Sequence, residues 1–217
     1  MIAVIVGMKS EAALLPAGIL AGCAGGVAAR AAALAQGFLD QGASGLLSFG
    51  IAGGLDPALA PGALIVAGGV EYEDGTIIAS DAAWSRRLAL ALDHARSGLL
   101  FGADRAIATA ADKAALFSRN GALAVDMESG AMARMAAAKG VPFAVLRAVA
   151  DPADRALPLS ALAGLDAKGN TRPLAVMRQL LARPGDLPGL IRVGRDSQTA
   201  LSALRHALQV VGPTLGM

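Results

Sequence analysis

The chain has 217 residues, of which 55% are apolar and 17% are charged, and its formal net charge is +2. A chain of this length can bury a full core, and so small a net charge gives no general nucleic-acid-binding footprint. Cys23 is the only cysteine, which excludes an internal disulfide and suits a reducing compartment.

The N-terminal segment contains one ambiguous tetrapeptide, LAGC (Leu20 to Cys23), which looks like the lipidation box of a bacterial lipoprotein signal. A secretory signal needs a basic start and an unbroken apolar core, whereas this chain starts with an apolar run, and Pro16 and Gly18 break the apolar stretch before Cys23. No run reaches the ~18 uncharged apolar residues of a membrane span. The sequence therefore favours a cytoplasmic protein over a lipoprotein.

Apolar β-branched runs alternate with longer helical patterns along the first 150 residues. In chain order, we predict a strand at 2–7, a helix at 27–42, strands at 45–50, 63–72 and 75–80, a helix at 82–96, a helix from Thr109 to about 120, a strand at 121–125, a helix at 129–139 and a strand at 141–150. TAAD (Thr109 to Asp112) resembles a capping box, and Gly140 is placed as a helix C-cap.

The order of these elements predicts the fold class. Strands that are apolar on both faces and interleaved with helices form sheets covered on both sides. We predict an α/β three-layer sandwich with a mixed, mostly parallel central sheet flanked by helices. From about residue 171 the pattern becomes helical, with Leu201, Leu204, Leu208 and Val211 on one face, and we predict one domain over residues 1–217.

Three carboxylates and a glycine-rich run follow predicted strands. Glu11 comes after the first strand, GIAGG (Gly50 to Gly54) after the second, Glu128 after the strand at 121–125, and Asp151 after the last. Ligands of open α/β sheets bind outside the carboxyl ends of the strands. We therefore expect these residues to line one site.

Several familiar kinds of site are excluded. GIAGG does not fit the GxGxxG fingerprint of nicotinamide cofactors, and no GxSxG hydrolase motif is present. His94 and His206, the only histidines, lie in helical charge patterns without metal-ligand spacing. The predicted site therefore consists of carboxylates, a methionine and backbone, with no cofactor and no metal.

Carboxylates without a metal suit cleavage of a glycosidic bond, in which one acid protonates the leaving group and another activates water. A carboxylate can also accept two hydrogen bonds from a ribose diol, and a methionine can pack on the sugar. Each residue also has an ordinary interpretation. Glu11 and Glu128 are acceptable first-turn acids, Asp151 is a turn former before proline, and Met127 is a core residue.

Four motifs resemble, in order and spacing, the nucleoside phosphorylase and nucleosidase superfamily, especially 5'-methylthioadenosine/S-adenosylhomocysteine nucleosidases. They are GMKSEAALL (7–15), FGIAGGLDP (49–57), VDMES (125–129) and VLRAVADPAD (145–154). The distal segment LLARPGDLPGLIRVGRDS (180–197) is similar to the hopanoid-biosynthesis-associated branch, whose proposed substrate is adenosylhopane.

The resemblance implies roles for the candidate residues. Glu11 would activate the attacking water, Glu128 would hold the ribose 2'- and 3'-hydroxyls, and Asp151 would protonate or hydrogen-bond N7 of adenine. Met127 would lie against the ribose, and Ile51, Ala52 and Gly53 would also contact substrate. Asp126 is interpreted as a turn acid outside the site. The resemblance also implies a homodimer.

Departures from the family pattern favour hydrolysis but leave alternatives. Phosphorylases of this superfamily carry arginine where this chain has Glu11 and Ser48, and serine where it has Ile51. Arginine and serine side chains bind phosphate, whereas the negative charge of Glu11 would repel a phosphate dianion. The second interpretation is a phosphorylase that binds phosphate through the amides of Gly50 to Gly54. The third is a nucleoside-binding protein without catalysis, because Ile51 and Ala150 stand where nucleosidases often have serines that serve Asp151.

The C-terminal region differs in charge from the rest of the chain. Residues 1–170 carry 13 Lys+Arg and 15 Asp+Glu (−2), and residues 171–217 carry 6 and 2 (+4). Its arginines, with neighbouring leucines, suggest contact with the anionic inner face of a membrane, which would supply the lipid-linked adenine nucleoside that the resemblance implies. The alternative is a solvated helical face packed on the domain. The arginines concerned are Arg178, Arg183, Arg192, Arg195 and Arg205.

Overall fold

Eight strands form one sheet in the computed structural model, which describes residues 1–162, 170 and 172–217. The strands are β1 (Ile2–Val6), β2 (Leu20–Cys23), β3 (Gly45–Gly54), β4 (Leu64–Glu71), β5 (Ile77–Ala79), β6 (Arg96–Gly102), β7 (Ala124–Asp126) and β8 (Phe143–Asp151). The helices are α1 (Lys9–Ala12), α2 (Ala28–Asp40), α3 (Ala82–Ala91), α4 (Ala110–Asn120), α5 (Ser129–Lys139), α6 (Leu159–Leu162), α7 (Pro173–Ala182) and α8 (Leu187–Val211), with a 3₁₀ turn at Pro184–Asp186.

Part of the sheet closes into a ring of five strands. β3 pairs with β8 in parallel, β8 with β4 antiparallel, β4 with β6 in parallel, β6 with β7 in parallel, and β7 with β3 antiparallel. β1 and β2 extend the sheet in parallel beyond β3, and β5 pairs antiparallel with β4. These pairings confirm the predicted mixed, mostly parallel sheet flanked by helices. The closure of five of its strands into a ring was not predicted.

Two β-bulges explain how the sheet curves enough to close. The β3–β8 register runs from Ala52 opposite Val149 to Gly53 opposite Asp151, so Ala150 is the extra residue. The β4–β6 register likewise passes over Gly68. An extra residue bends its strand and increases the local twist, which is what a closing sheet requires.

Helices cover both faces of the sheet, because the side chains of β1 point alternately into two helical layers. Ala3 and Ile5 pack in one core cluster with residues of α2 and α5, such as Ala35 and Met132. Val4 and Val6 point the other way, into a cluster formed with α3 and α8. Successive side chains of a strand face opposite sides, so a strand buried on both sides needs two helical layers.

Helix α8 packs against β8 and β3 through the face that the leucine spacing predicted. Leu204 and Leu208 are buried, and Leu201 and Val211 are partly buried. Trp84 of α3, the only tryptophan, is fully buried beside this helix and donates its indole N–H to the carbonyl oxygen of Leu215 at 2.8 Å. The C-terminal segment is thereby fixed to the same layer.

Several predicted boundaries are wrong. The helix predicted over residues 82–96 ends at Ala91, and Arg96–Gly102 forms β6. The strand predicted over 45–50 continues to Gly54, and LAGC forms β2 beside β1. The Gly140 C-cap is confirmed by its φ of +64°. Of the predicted capping box, the N-cap half is present: Thr109 Oγ1 accepts a hydrogen bond from the N–H of Asp112. The Asp112 carboxylate accepts from the Thr109 hydroxyl instead of from the backbone. Residue 171, the predicted start of the helical region, lies outside the described residues.

The strand ends bring the predicted site together. β1, β3 and β8 are parallel neighbours, so their carboxyl ends lie at one edge of the sheet. β7 runs antiparallel to β3 but pairs only with Gly53 and Gly54, at that same end. Glu128, two residues beyond β7, is therefore close to Glu11 and Asp151. Over the described residues, no helix is both long and apolar enough to cross a membrane.

Candidate active site

A cavity of about 420 Å³ lies at the carboxyl ends of β1, β3 and β8. All of the predicted site residues line it: Glu11, Ile51, Ala52, Gly53, Met127, Glu128 and Asp151. A larger cavity of about 530 Å³ lies between α2 and α5, but of these residues it includes only Met127. The smaller cavity is the candidate site, because it gathers the three carboxylates.

Glu11 is held by three backbone N–H groups. Its Oε2 accepts from Gly7 at 2.8 Å and from Met8 at 2.7 Å, and its Oε1 accepts from Ile51 at 2.8 Å. The side chain is buried, and burial raises the pKa of this carboxyl above its usual value against the opposing effects of Arg147 and the three N–H groups. A fixed carboxylate with a raised pKa is suited to accept a proton from water.

Glu11 also requires glycine at position 50. Gly50 has φ +149°, and a Cβ placed on it would lie 2.6 Å from Glu11 Oε1 and 2.7 Å from Arg147 Nη1. Real Cβ atoms do not approach so closely. Glycine at position 50 thus allows the backbone of β3 to lie in contact with the Glu11 side chain.

Glu128 immediately precedes α5 and faces Glu11 across Gly7. A Cβ on Gly7 would lie 2.7 Å from Glu128 Oε1 and 3.5 Å from Glu11 Oε2. Glu128 Oε1 accepts from the N–H of Gly26 at 3.0 Å. Burial, together with the negative charges of Asp126 and Glu11, raises the pKa of Glu128 to about 7, against the lowering effect of Arg147.

Arg147 is the cation that these acids share. It is fully buried in β8, and its Nη2 lies 2.6 Å from Asp126 Oδ2 and 3.3 Å from Glu128 Oε2. The same nitrogen donates to Ser48 Oγ at 2.7 Å. A buried guanidinium needs such partners, because an unpaired buried charge is costly.

Asp126 has two functions in the structure. Its Oδ1 accepts from the N–H groups of Glu128 and Ser129, which fixes the turn into α5 and agrees with its interpretation as a turn acid. Its Oδ2 pairs with Arg147, and this contact was not predicted. Asp126 therefore orients Glu128 through the backbone and through the shared arginine. Because it also lines the cavity, its predicted position outside the site is wrong.

Asp151 ends β8 next to the Ala150 bulge, and its side chain is 12% exposed. Its Oδ2 lies 2.5 Å from Nζ of Lys113, a fully buried residue of α4. Burial raises the pKa of the Asp151 carboxyl, and the hydrogen bond and charge of Lys113 oppose that rise. β-Bulges beside functional sites commonly re-aim a side chain, and here the bulge sets the direction of Asp151.

Sequence reasoning missed both buried cations. Arg147 interrupts the apolar run of β8, and Lys113 occupies the buried face of α4 together with Leu116. A charged residue in a buried register is the signal that could have found them, because such residues are rarely buried without a partner.

The remaining wall of the cavity comes from the C-terminal half and from one loop. Ser197 and Val193 of α8 take part, and Arg105 lies at the exposed rim. The apolar members of this wall are Ile107, Leu157, Ala161 and Val193. The cavity thus joins a polar end, built by the strands, to an apolar wall.

Comparison with known proteins identifies the family. The phosphorylase superfamily matches residues 9–182, which is most of the chain, and the chain therefore belongs to this superfamily. No curated protein sequence gives a significant match.

Solved structures of nucleosidases share the fold at low sequence identity. A 5'-methylthioadenosine/S-adenosylhomocysteine nucleosidase from Neisseria meningitidis, in complex with methylthio-immucillin-A, superimposes with a TM-score of 0.73 at 18% identity over 98% of both chains. Futalosine hydrolase of Helicobacter pylori gives a TM-score of 0.68 at 17% identity, over 96% of this chain and 97% of the other.

Proposed function

We propose that the protein hydrolyses the N-glycosidic bond of an adenine nucleoside modified at its 5' position and releases adenine. The observation that carries the proposal is the convergence of Glu11, Glu128 and Asp151 on one cavity. The nucleosidases that share the fold support the same reaction class.

In the proposed mechanism, Glu128 accepts hydrogen bonds from the ribose hydroxyls while Met127 lies against the sugar. Asp151 gives its proton to N7 of adenine, and the C1'–N9 bond breaks with its electron pair moving into the base. Water adds to C1', and its proton passes to Glu11. The products are adenine and the free ribose of the modified nucleoside. Separating the acid and the base at two ends of the bond is the common strategy of glycoside cleavage.

The surroundings of Glu11 support water over phosphate as the nucleophile. Two buried carboxylates, Glu11 and Glu128, lie on either side of Gly7, and their charge would repel a phosphate dianion. The amides proposed for phosphate binding in the alternative interpretation belong to β3, and the N–H of Ile51 already donates to Glu11. Phosphorolysis is thus the less supported alternative.

The deciding experiment measures adenine released from adenosine analogues with small and with long apolar 5' groups, with phosphate present and rigorously removed. We expect release without phosphate. Release that depends strictly on phosphate would establish the phosphorylase instead. Tight nucleoside binding with no adenine under either condition would establish the binding protein.

For the 5' substituent, we propose a saturated polycyclic lipid, so that adenosylhopane would be converted to ribosylhopane. The resemblance of residues 180–197 to the hopanoid-associated branch motivates this choice. The apolar wall of Ile107, Leu157, Ala161 and Val193 supports it, since a lipid needs an aliphatic surface to replace water. Adenine release that rises with the apolar 5' group would be the expected result in the analogue series.

A lipid-linked substrate also requires access from a membrane, and we propose peripheral contact at the cytoplasmic face through the C-terminal helices. Leu174 and Leu181 of α7 are 84% and 79% exposed, and Arg178 and Arg183 beside them are exposed as well. Exposed leucines between arginines suit an anionic bilayer surface.

The homodimer that the family resemblance implies remains a prediction, which sedimentation equilibrium would test.

A further inference from the structure

Lys113 makes three hydrogen bonds in a fully buried position. Its Nζ donates to Asp151 Oδ2 at 2.5 Å, to the carbonyl oxygen of Arg155 at 2.9 Å and to that of Pro152 at 3.0 Å. An ammonium has three N–H donors, so each has one acceptor. A neutral amine would have only two donors for these three acceptors, and the arrangement therefore fits the charged form.

The geometry leaves one carboxylate oxygen of Asp151 for a ligand. Oδ2 is committed to Lys113, whereas Oδ1 has no hydrogen-bond partner among residues 1–162, 170 and 172–217. The neighbouring Ala150 has no hydroxyl to offer. Lys113 is thus the side chain that fixes the rotation of the Asp151 carboxyl while this residue lines the cavity.

We propose that Lys113 is a positioning residue that acts through Asp151, holding one carboxyl oxygen so that the other meets N7 of the base, and stabilising the carboxylate that remains after proton transfer. The inference rests on the proposed hydrolysis. In the step concerned, the O–H bond of the Asp151 carboxyl breaks, an N–H bond forms at N7, and the new negative charge lies beside an ammonium that is already in place.

Burial and Lys113 act in opposite directions on the same acid. Burial raises the pKa of Asp151, and Lys113 lowers it. Arg155 also lowers it and Asp196 raises it, but these two side chains pair with each other at 2.5 Å. A general acid must give up its proton in the reaction, and Lys113 favours that release because its charge stabilises the carboxylate form.

The test uses two substrates that differ in their need for an acid. Adenine must be protonated to leave, whereas 4-nitrophenolate leaves a 4-nitrophenyl β-D-riboside without protonation. We expect Lys113→Met to lower kcat for adenine release by about 10- to 100-fold with little change in KM. The same variant should cleave the 4-nitrophenyl riboside nearly as fast as the wild type. Lys139→Met, which removes an exposed lysine of α5, is the matched control.

A second variant distinguishes loss of the lysine charge from a folding defect in Lys113→Met. Lys113→Gln keeps amide donors for the carbonyl oxygens but removes the charge, and it should show the same substrate-selective loss. Combining Lys113→Met with Asp151→Asn should add almost nothing to the loss caused by Asp151→Asn alone, because residues of one network are not additive.

The outcomes separate the two proposals. Wild-type protein that releases no adenine overturns the proposed function itself. If the wild type is active, then equal losses on both substrates, or full activity of Lys113→Gln on the adenine nucleoside, would overturn the role of Lys113. An upward shift of the basic limb of the kcat profile in Lys113→Gln would support it, since the acid would hold its proton to higher pH.

Discussion

Arg147 and Lys113 control the ionisation of the acids around them at the scale of single residues. Each is fully buried, and each pairs with carboxylates that line the cavity. Glu11, Glu128 and Asp151 all have pKa values raised by burial, and the two cations oppose that rise. All three carboxyls are therefore weaker acids than free side chains.

Replacement of the proposed acid and base should abolish turnover without unfolding the protein. Asp151→Asn and Glu11→Gln each remove a proton donor or acceptor while keeping the shape of the side chain, and we expect kcat to fall by about 10²- to 10⁴-fold. Adenine release measures the effect, and thermal unfolding checks the fold. Near-native activity in both variants would eliminate the mechanism.

The pKa of Glu128 predicts an acid limb in the pH profile. Because this pKa is raised from 4.5 to about 7, the side chain loses its charge as the pH falls through about 7 and then accepts ribose hydroxyls less well. We expect kcat/KM to fall by about tenfold per pH unit below that point.

Glu128→Gln should lose the fall in kcat/KM that protonation of Glu128 causes at low pH. Glu73→Gln, which changes an exposed carboxylate, should keep the wild-type pH profile. A profile that stays flat between pH 5.5 and 8 in the wild type would contradict the assignment of Glu128 as the ribose ligand.

At the scale of secondary-structure elements, β3 shows how a strand shapes a site. Its residues Gly50 to Gly54 remain extended, pair with β8 and β7, and pass against Glu11. A strand gives these residues fixed positions that a free loop would not provide. The Ala150 bulge in the neighbouring β8 then directs Asp151 into the same cavity.

Gly50→Ala should disrupt both stability and catalysis. The new methyl group would lie 2.6 Å from Glu11 at a φ that side chains rarely adopt, so we expect a loss of about 1–3 kcal/mol in the free energy of unfolding. Adenine release should fall as well, because Glu11 must move.

Gly37→Ala is the matched control for that experiment. Gly37 lies inside α2, and nothing is within 4 Å of a Cβ added there, so alanine should raise stability by about 0.5–1 kcal/mol. Chemical denaturation of both variants measures these changes. Equal effects at the two glycines would show that the approach of Glu11 to Gly50 is not tight.

The same elements show what could be predicted from sequence. The carboxylates were found because each follows a buried strand, and strand ends meet at one edge of a sheet. β6 was missed because Arg96 to Gly98 lack an apolar pattern, and this strand forms through pairing with β4. The partners of Arg147 and Lys113 come from distant elements, so only the assembled fold reveals them.

At the scale of the whole molecule, α8 takes part in both the cavity wall and the core. Val193 and Ser197 line the cavity, and Leu204 and Leu208 anchor the same helix in the core. This packing supports the prediction of one domain over residues 1–217, which stays a prediction. Under the membrane proposal, a substrate delivered by a bilayer would enter beside the helices proposed to contact the lipid.

Vesicle sedimentation tests the membrane surface. We expect the protein to bind vesicles that contain anionic lipid and to release them as salt rises, because the attraction depends on the exposed arginines. Leu174→Ser combined with Leu181→Ser should weaken binding severalfold, whereas Leu90→Ser, which changes a leucine of α3 that is 70% exposed, should not. Absence of binding at every salt concentration would refute the contact.

The single tryptophan gives the molecule an intrinsic optical reporter. Trp84 is fully buried and its indole N–H is bonded to Leu215, so its emission should be blue-shifted while the C-terminal segment is docked and red-shifted once water reaches the ring. With only one tryptophan in the chain, such a spectrum needs no deconvolution. Fluorescence that changes before far-ultraviolet circular dichroism during denaturation would reveal that the C-terminal segment detaches ahead of global unfolding.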